Sequence, residues 1–387
     1  MKRMLCAILG ILLLSAVEAA AEEAPGFGFI NMRDTALQEE PGGETLYSLP
    51  RDTCVWIRDS VTDPEGNEWL AVNTGLWKKP GEDLTGWVCA EQVDSGGEVW
   101  HDVVSVSADE CGMIALKADG TAETAGRIYP PLDPMYGPTA RRWTYRCGTI
   151  MQVQAWVGGY AARMEDGSVT NTAVGIPYYP SDKEFRLLAE HSCQFGISAK
   201  NELTDMCEPA TRLTWYCPEN APSRKTISRV VSLDCQHGWL AMLTDSGELL
   251  AAKCWESSGE EPVWSRWRDL ETFHMKDNSR WAGDSAACEW MMAGVKKDGT
   301  AQAWPEMLEN VLTGWTDLAD IQLGTGYALG LKKDGTAVSA GLPGTQAPDV
   351  SGWRNVTAIA AGRGFCVGIT ESGGLVFAGE ARISRKQ

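Results

Sequence analysis

One pattern is written seven times after residue 100. Units begin at Trp100, Trp143, Phe185, Ile227, Trp267, Trp315 and Trp353, with successive gaps of 43, 42, 42, 40, 48 and 38 residues, and the last runs out close to Gln387. The plainest copies run from Trp315-Thr316-Asp317-Leu318 to Gly330-Leu331-Lys332-Lys333-Asp334-Gly335-Thr336, and from Trp353-Arg354-Asn355-Val356 to Gly368-Ile369-Thr370-Glu371-Ser372-Gly373. The third and fourth copies have drifted furthest. A β unit of about forty residues cannot bury both of its faces alone, so each copy must stack on its neighbours.

Each unit carries the same local devices. A turn pair such as Asp119-Gly120, Asp166-Gly167, Asp298-Gly299 or Asp334-Gly335 separates two β-prone runs, where a tight hairpin needs positive φ. Asn201-Glu202 stands in for it in the third unit, because Asn tolerates that geometry. A small residue precedes the turn in every unit: Ala115, Ala162, Gly196, Ala241, Gly294, Gly330 and Gly368. Small residues at a fixed strand position suggest close backbone approach near a common axis. All thirteen prolines beyond residue 100 fall between units, where no ladder hydrogen bond is lost. Seven such units stacked radially close into a ring with few exposed edges. The expectation is an all-β chain with a seven-bladed β-propeller over residues 98–387.

Ahead of the repeat, residues 25–95 hold short β-rich runs divided by Pro41-Gly42-Gly43, Pro64-Glu65-Gly66-Asn67 and Pro80-Gly81, which predicts a small barrel. The order Asn31-Met32-Arg33, Ser48-Leu49-Pro50-Arg51-Asp52-Thr53-Cys54-Val55, Glu68-Trp69-Leu70-Ala71-Val72 and Gly86-Trp87-Val88 resembles the bacterial Src-homology-3-type domain. An insertion around Trp77-Lys78-Lys79-Pro80 departs from that family. The resemblance implies binding of cell-wall peptides or short protein segments through an aromatic groove. Trp69 and Trp87 are then its candidate residues, with core filling as the alternative, and Trp77 is a candidate exposed contact. The repeat, written Trp-x-Asp-Leu, Gly-Leu-x-x-Asp-Gly-Thr and Ala-x-x-Ala-Gly as at Ala337 to Gly341, resembles the regulator of chromosome condensation family, whose members are seven-bladed propellers. That likeness is strong in the first and last three units.

Residues 1–21 read as a secretory signal: Met1-Lys2-Arg3, an apolar run from Met4 to Val17, then Ala19-Ala20-Ala21. The expected product is secreted or on the cell surface, with no membrane span after cleavage and no partner subunit of its own kind. Of the 387 residues, 34 are Lys or Arg against 52 Asp or Glu, a net charge of −18 that repels phosphate backbones and argues against nucleic acid. In an exported chain the 12 cysteines suggest disulfides; Cys54–Cys89 and Cys207–Cys217 are conceivable pairs. No Cys-x-x-Cys occurs and the four histidines lack metal spacing, so neither metal nor cofactor is expected.

The segments joining units hold Tyr129, Tyr136, Tyr178, Tyr179, Trp215, Tyr216, Trp255 and Trp264, which ring closure would gather on one face. Such residues make contact surfaces for proteins or glycans at small entropic cost, although they could equally cover blade edges. No nucleophile elbow, zinc-protease or phosphate-loop motif is present. These features favour a non-enzymatic adaptor, the barrel tethering to wall or peptide and the propeller binding a protein or cell-wall glycan. The alternatives are a propeller enzyme acting on glycans and a secreted enzyme inhibitor.

Overall fold

A computed structural model describes residues 27–379 except 52, 80–81, 96–99, 110–111, 127–143, 146–148, 157–158, 172–183, 190–194, 206–213, 216–221, 237–238, 254–266 and 278–289. The chain is all-β. Its first sheet has seven strands in the order Thr45–Leu49, Thr35–Gln38, Glu82–Cys89, Glu68–Lys79, Cys54–Thr62, Phe27–Ile30 and Val93–Ser95. Leu49 and Val93, on the two outermost strands, share one core with Ile30, Leu37, Val55, Leu70, Val72, Leu84 and Val88, so the sheet curls around a single interior. The insertion at Trp77 lengthens the hairpin between the fourth and third strands of that order, pairing Trp77 with Asp83.

Seven antiparallel sheets follow, and they are the blades of a propeller. Their inner strands are Val103–Asp109, Ile150–Trp156, Phe185–Leu188, Val230–Gln236, Leu270–Asp277, Leu318–Gly324 and Val356–Ala361. Blades one and four gain a fourth, outer strand, Thr144–Tyr145 and Thr214–Trp215. Five of these strands begin three residues after the repeat's expected start. Phe185, aligned above with the opening tryptophans, is instead the first residue of its strand.

Positive φ falls where the turns demand it: Gly120, Gly167, Gly247, Gly299, Gly335 and Gly373 lie near +80°, with Asn201 at 58° in the third blade. The Asp before four of these glycines folds back onto the residue after it, as when the Asp334 carboxylate accepts from the Thr336 amide and hydroxyl. Similar bonds tie Asp119 to Thr121, Asp166 to Ser168 and Asp298 to Thr300. The small residue on the second strand has a second purpose besides the one expected. A Cβ on Gly330 would lie 2.8 Å from the Trp315 ring, and one on Gly368 would lie 2.9 Å from the Trp353 ring. In these two blades the gap seats the opening indole, whereas a Cβ on Gly294 would meet the Thr272 backbone oxygen at 3.0 Å, a close approach of adjacent strands.

The apolar core is divided among the seams. Seven clusters of buried side chains each combine residues of two adjacent blades, the poorest being Phe185, Leu188 and Val169 between blades two and three. A backbone bond also stitches six seams: the first inner-strand amide of a blade donates to the turn glycine of the blade before. The pairs are Ile150 to Gly120, Phe185 to Gly167, Leu270 to Gly247, Leu318 to Gly299, Val356 to Gly335 and Val103 to Gly373. The last of these joins blade one to blade seven and closes the ring. Blade three ends in Asn201 instead of glycine, and there Arg186 takes over, donating to Asn201 Oδ1, Val230 O and Ile227 O at 3.0, 2.9 and 2.6 Å.

The closing seam has one further component. Phe29 and Trp56 of the leading sheet belong to the same buried cluster as Trp100 and Met113 of blade one and Phe365 and Phe377 of blade seven. The Phe29 and Trp100 rings are 5.8 Å apart, and Trp56 meets Phe365 edge-on at 4.8 Å. The leading sheet is thus packed over the one seam that no connecting segment crosses.

Candidate functional site

An inner strand is an edge strand, and its outward amides need partners facing the axis. The alternation of side chains along it divides the tasks. The fourth and sixth residues are apolar and enter the seam with the preceding blade, as Ile321 and Leu323 do. The third, fifth and seventh are mostly polar and lean toward the following blade. The fifth then satisfies the neighbour's edge: Ser107 Oγ accepts from the Ala155 amide at 2.9 Å, Asp234 Oδ2 from Met275 at 2.8 Å and His274 Nδ1 from Leu323 at 3.1 Å. Gln154 donates to Leu188 O at 3.0 Å. Deeper still, Lys276 of blade five pairs with Asp109 of blade one, both nearly fully buried. Those blades are not neighbours, so the ion pair bolts across the axis.

Exposure rises toward the opposite end. The third-position residues Ser105, Gln152, Ser232, Thr272 and Asp320 are half-buried. The second position is solvent-facing, because every inner strand slips register there, between Val103 and Ser105, Ile150 and Gln152, Phe185 and Leu187, Val230 and Ser232, Leu270 and Thr272, Leu318 and Asp320, and Val356 and Ala358. Such a bulge leaves one residue outside the ladder. The axis is therefore a polar funnel, bolted by Lys276 and Asp109 and open where the inner strands begin.

The seven bulged residues ring its mouth: Val104, Met151, Arg186, Val231, Glu271, Ala319 and Thr357. Val104, Met151 and Val231 are 56%, 51% and 53% exposed, three of the most exposed large apolar side chains among the described residues. Just below the mouth, the third position carries one ionisable group, Asp320. It accepts from the Ile321 amide at 2.8 Å, Thr272 Oγ1 at 3.0 Å and Gln322 Nε2 at 3.4 Å. No Lys or Arg pairs with it among the described residues, and loss of water pushes its carboxyl up to about 6.

Of the eight aromatic residues expected on one face of the propeller, one is among the described residues. Tyr129, Tyr136, Tyr178, Tyr179, Tyr216, Trp255 and Trp264 lie outside the described residues. Trp215 is placed in the outer strand of blade four, paired with Ala252. Trp69 and Trp87 do not fill the leading core. Both are half-buried on the opposite face from Leu70 and Val88, in neighbouring register where Trp69 faces Cys89 and Ala71 faces Trp87. The Trp69 indole donates to Asp63 Oδ2 at 2.9 Å, and bonds from Asn67 and then Trp69 hold the Asp63 carboxyl below its usual value. The buried indole of the leading sheet is Trp56, which lies in the closing seam and not in the leading core, and was not singled out by its sequence context.

The Cys54–Cys89 disulfide is not formed. The strand Glu68–Lys79 separates the two cysteines' strands, and Cys89 faces Trp69 while Cys54 begins its own strand beside Phe29, so their backbones are too far apart to bridge. Cys207 and Cys217 lie outside the described residues. No group of three or more metal-ligating side chains occurs among the described residues, and no helix there is long and apolar enough to cross a membrane.

The mouth residues were within reach of the sequence. The column four places after the repeat start reads Val104, Val231, Glu271, Ala319 and Thr357 in the five units that align, a mixed column typical of a solvent-facing position. What it lacked was the bulge, which reverses the side that simple alternation assigns.

Fold and site together define a seven-bladed β-propeller with a polar, bolted axis and an apolar half-rim at one mouth. No family model matches the chain, and no curated protein does. Among solved structures, the chain resembles the ectodomain of the Physcomitrella patens receptor kinase CR4, at 13% identity and TM-score 0.47 over 72% of this chain and 74% of that one. It also resembles the CRINKLY WD40 ectodomain of the Arabidopsis thaliana receptor kinase ACR4, at 13% identity and TM-score 0.44 over 72% and 99%. A third likeness is to Prp20p of Saccharomyces cerevisiae, at 11% identity and TM-score 0.35 over 94% and 92%. Likenesses this distant say nothing of function, and the architecture stands on the chain's own strand order and seams.

Proposed function

We propose that this is an exported, non-enzymatic binding protein whose propeller holds a protein or glycan partner at the open mouth of its axis. The leading sheet is a bacterial Src-homology-3-type module that contacts wall or peptide through Trp69 and Trp87, and the propeller is of the regulator of chromosome condensation type. The observation that carries the reading is internal to the repeat. Of the seven equivalent bulged positions five are exposed, Arg186 and Ala319 being half-buried, and three of the exposed ones hold Val104, Met151 and Val231. Folding does not ask for large apolar side chains there, whereas a contact surface does. Two of the axial carboxylates support the same reading: Asp109 is paired with Lys276 and Asp234 accepts from the Met275 amide, so both are engaged by the fold itself.

The test is capture of cell-wall fragments and secreted proteins by the protein lacking residues 1–21, beside a Val104→Ser, Met151→Ser, Val231→Ser variant with an unchanged unfolding midpoint. The reading expects the variant to lose capture; equal capture would overturn the mouth as the binding face. Hydrolysis of wall glycan that stops in Asp320→Asn would favour the enzyme alternative instead.

A further inference from the structure

We infer that the funnel admits one Lys or Arg side chain from a basic protein segment, directed toward Asp320, while an apolar neighbour of that residue rests on Val104 and Met151. The inference rests on the binding-protein reading and names the chemistry of its partner. Three observations carry it.

The first is the composition of the wall. Hydroxyls, an amide and apolar or small side chains share the third position with one carboxylate, Asp320; below it Asp234 accepts from the Met275 amide and the axial cation Lys276 is committed to Asp109. Asp320 Oδ2 has only the long 3.4 Å contact to Gln322, so it retains room for a stronger donor. A guanidinium or ammonium entering from solvent restores the charge balance that the fold leaves open.

The second is position. Blades six, seven, one and two are consecutive around the ring, and the mouth residues between Asp320 and Val104 are the small Ala319 and Thr357. An extended segment crossing blade seven meets no bulky side chain among these mouth positions before it reaches Val104 and Met151.

The third is charge. The chain carries a net −18; the turns beside the inner strands of blades six and seven are mixed, exposing Lys297 with Asp298 and Lys333 with Asp334, whereas among the described residues those beside Val104 and Met151 expose Asp102, Asp119, Glu165 and Asp166. A basic segment is drawn toward that sector and an acidic one is repelled.

The same geometry sets a pH dependence. Asp320 is bonded by Thr272 from blade five and by Gln322 and the Ile321 amide from its own strand; His274 and Asp234 hold the fifth position of the inner strands of blades five and four, and Lys276 is held by Asp109. Burial raises the Asp320 carboxyl to about 6, so it gains a proton as pH falls through that value, and with it the attraction for a cation is lost.

The experiment is fluorescence anisotropy with two labelled ten-residue peptides, one alternating Lys and Leu and one alternating Glu and Leu, against the mature protein between pH 5 and 8. Expected are binding of the Lys peptide alone, about tenfold weakening from pH 7 to 5, and about tenfold weakening in Asp320→Asn at pH 7, as for loss of one close charge pair. The charge-matched Glu309→Gln, on the exposed side of the helix Glu306–Val311, should change affinity less than about twofold. Asp320→Asn should also abolish the pH dependence. The inference is overturned if Asp320→Asn and Glu309→Gln behave alike, or if the Glu peptide binds equally well. If the Val104, Met151 and Val231 variant loses natural partner capture while Asp320→Asn does not, this inference falls and the proposed function stands. If neither loses it, both fall.

Discussion

Between blades three and four one arginine replaces the backbone stitch that other seams use, whereas the seam between blades seven and one keeps its stitch and adds two aromatic rings from another sheet. The difference follows from chain connectivity. Blades three and four are joined by the segment ending in the short helix Arg224–Ile227, so their contact is intramolecular at short range and tolerates drift. Blades seven and one are the two ends of the ring, with about 270 residues separating the partners Val103 and Gly373. That seam must hold by contacts alone, and it receives Phe29 and Trp56 as well as the Val103 to Gly373 bond. The leading sheet thus acts as a clasp on the propeller, which ties its half-buried Trp69 and Trp87 to a fixed position relative to the blades.

Breaking the clasp should have the largest effect. Trp56→Ala removes a buried ring packed on Phe365 and should cost about 3–5 kcal/mol in urea unfolding. Its hydrogen exchange should show blade seven losing protection before blades five and six; uniform loss would mean the seam is not specially dependent on the clasp. Next in size, Arg186→Ala frees two carbonyls and an amide oxygen at the drifted seam and should cost about 2–4 kcal/mol. Arg186→Lys should restore little, since one ammonium cannot span Val230 O, Ile227 O and Asn201 Oδ1 together. Recovery with Lys would show that charge rather than the planar fork holds that seam.

A smaller effect is expected where a stitch glycine changes. Gly335→Ala forces a Cβ into left-handed backbone at φ 78°, 3.2 Å from the Asn355 Cα, and should cost about 1–2 kcal/mol. Gly352→Ala, with nothing within 4 Å, should change stability by less than about 0.5 kcal/mol. The smallest effects are those of pH. Bonds from Ser168, Thr300 and Thr336 hold the carboxyls of Asp166, Asp298 and Asp334 below their usual value of 3.8, so these turns support the fold above that pH and lose their contribution as pH falls through their lowered folded values. Asp320 has the opposite sign: its folded value near 6 penalises the charged form, so its contribution to stability falls as pH rises from about 4 to 6. A urea titration of Asp320→Asn should remove that component, and an unchanged pH profile would contradict it.

The repeat made the architecture legible because the features that build it are local. Asp334-Gly335 announces a hairpin and its φ, and Asn201 announces the same turn without glycine. Prolines at 305, 343 and 348 fall outside strands for the same reason. What stayed hidden depends on residues far apart in sequence. Arg186 reads as an unremarkable strand residue until Asn201, Ile227 and Val230 are brought around it. Trp56 and Phe365 are more than 300 residues apart. The mouth residues were concealed by the bulge, which turns Val104 and Met151 outward against the simple alternation that would have buried them.

Ring closure itself is tested most directly by spin labels at the bulged positions, which occupy equivalent places in every blade. Labels at Val104 and Thr357, on blades one and seven, should give the same short distance distribution as labels at Val104 and Met151 on blades one and two, and a shorter one than Val104 with Val231 on blade four. In an open stack of seven sheets the Val104 and Thr357 pair would instead give the longest distance of the three.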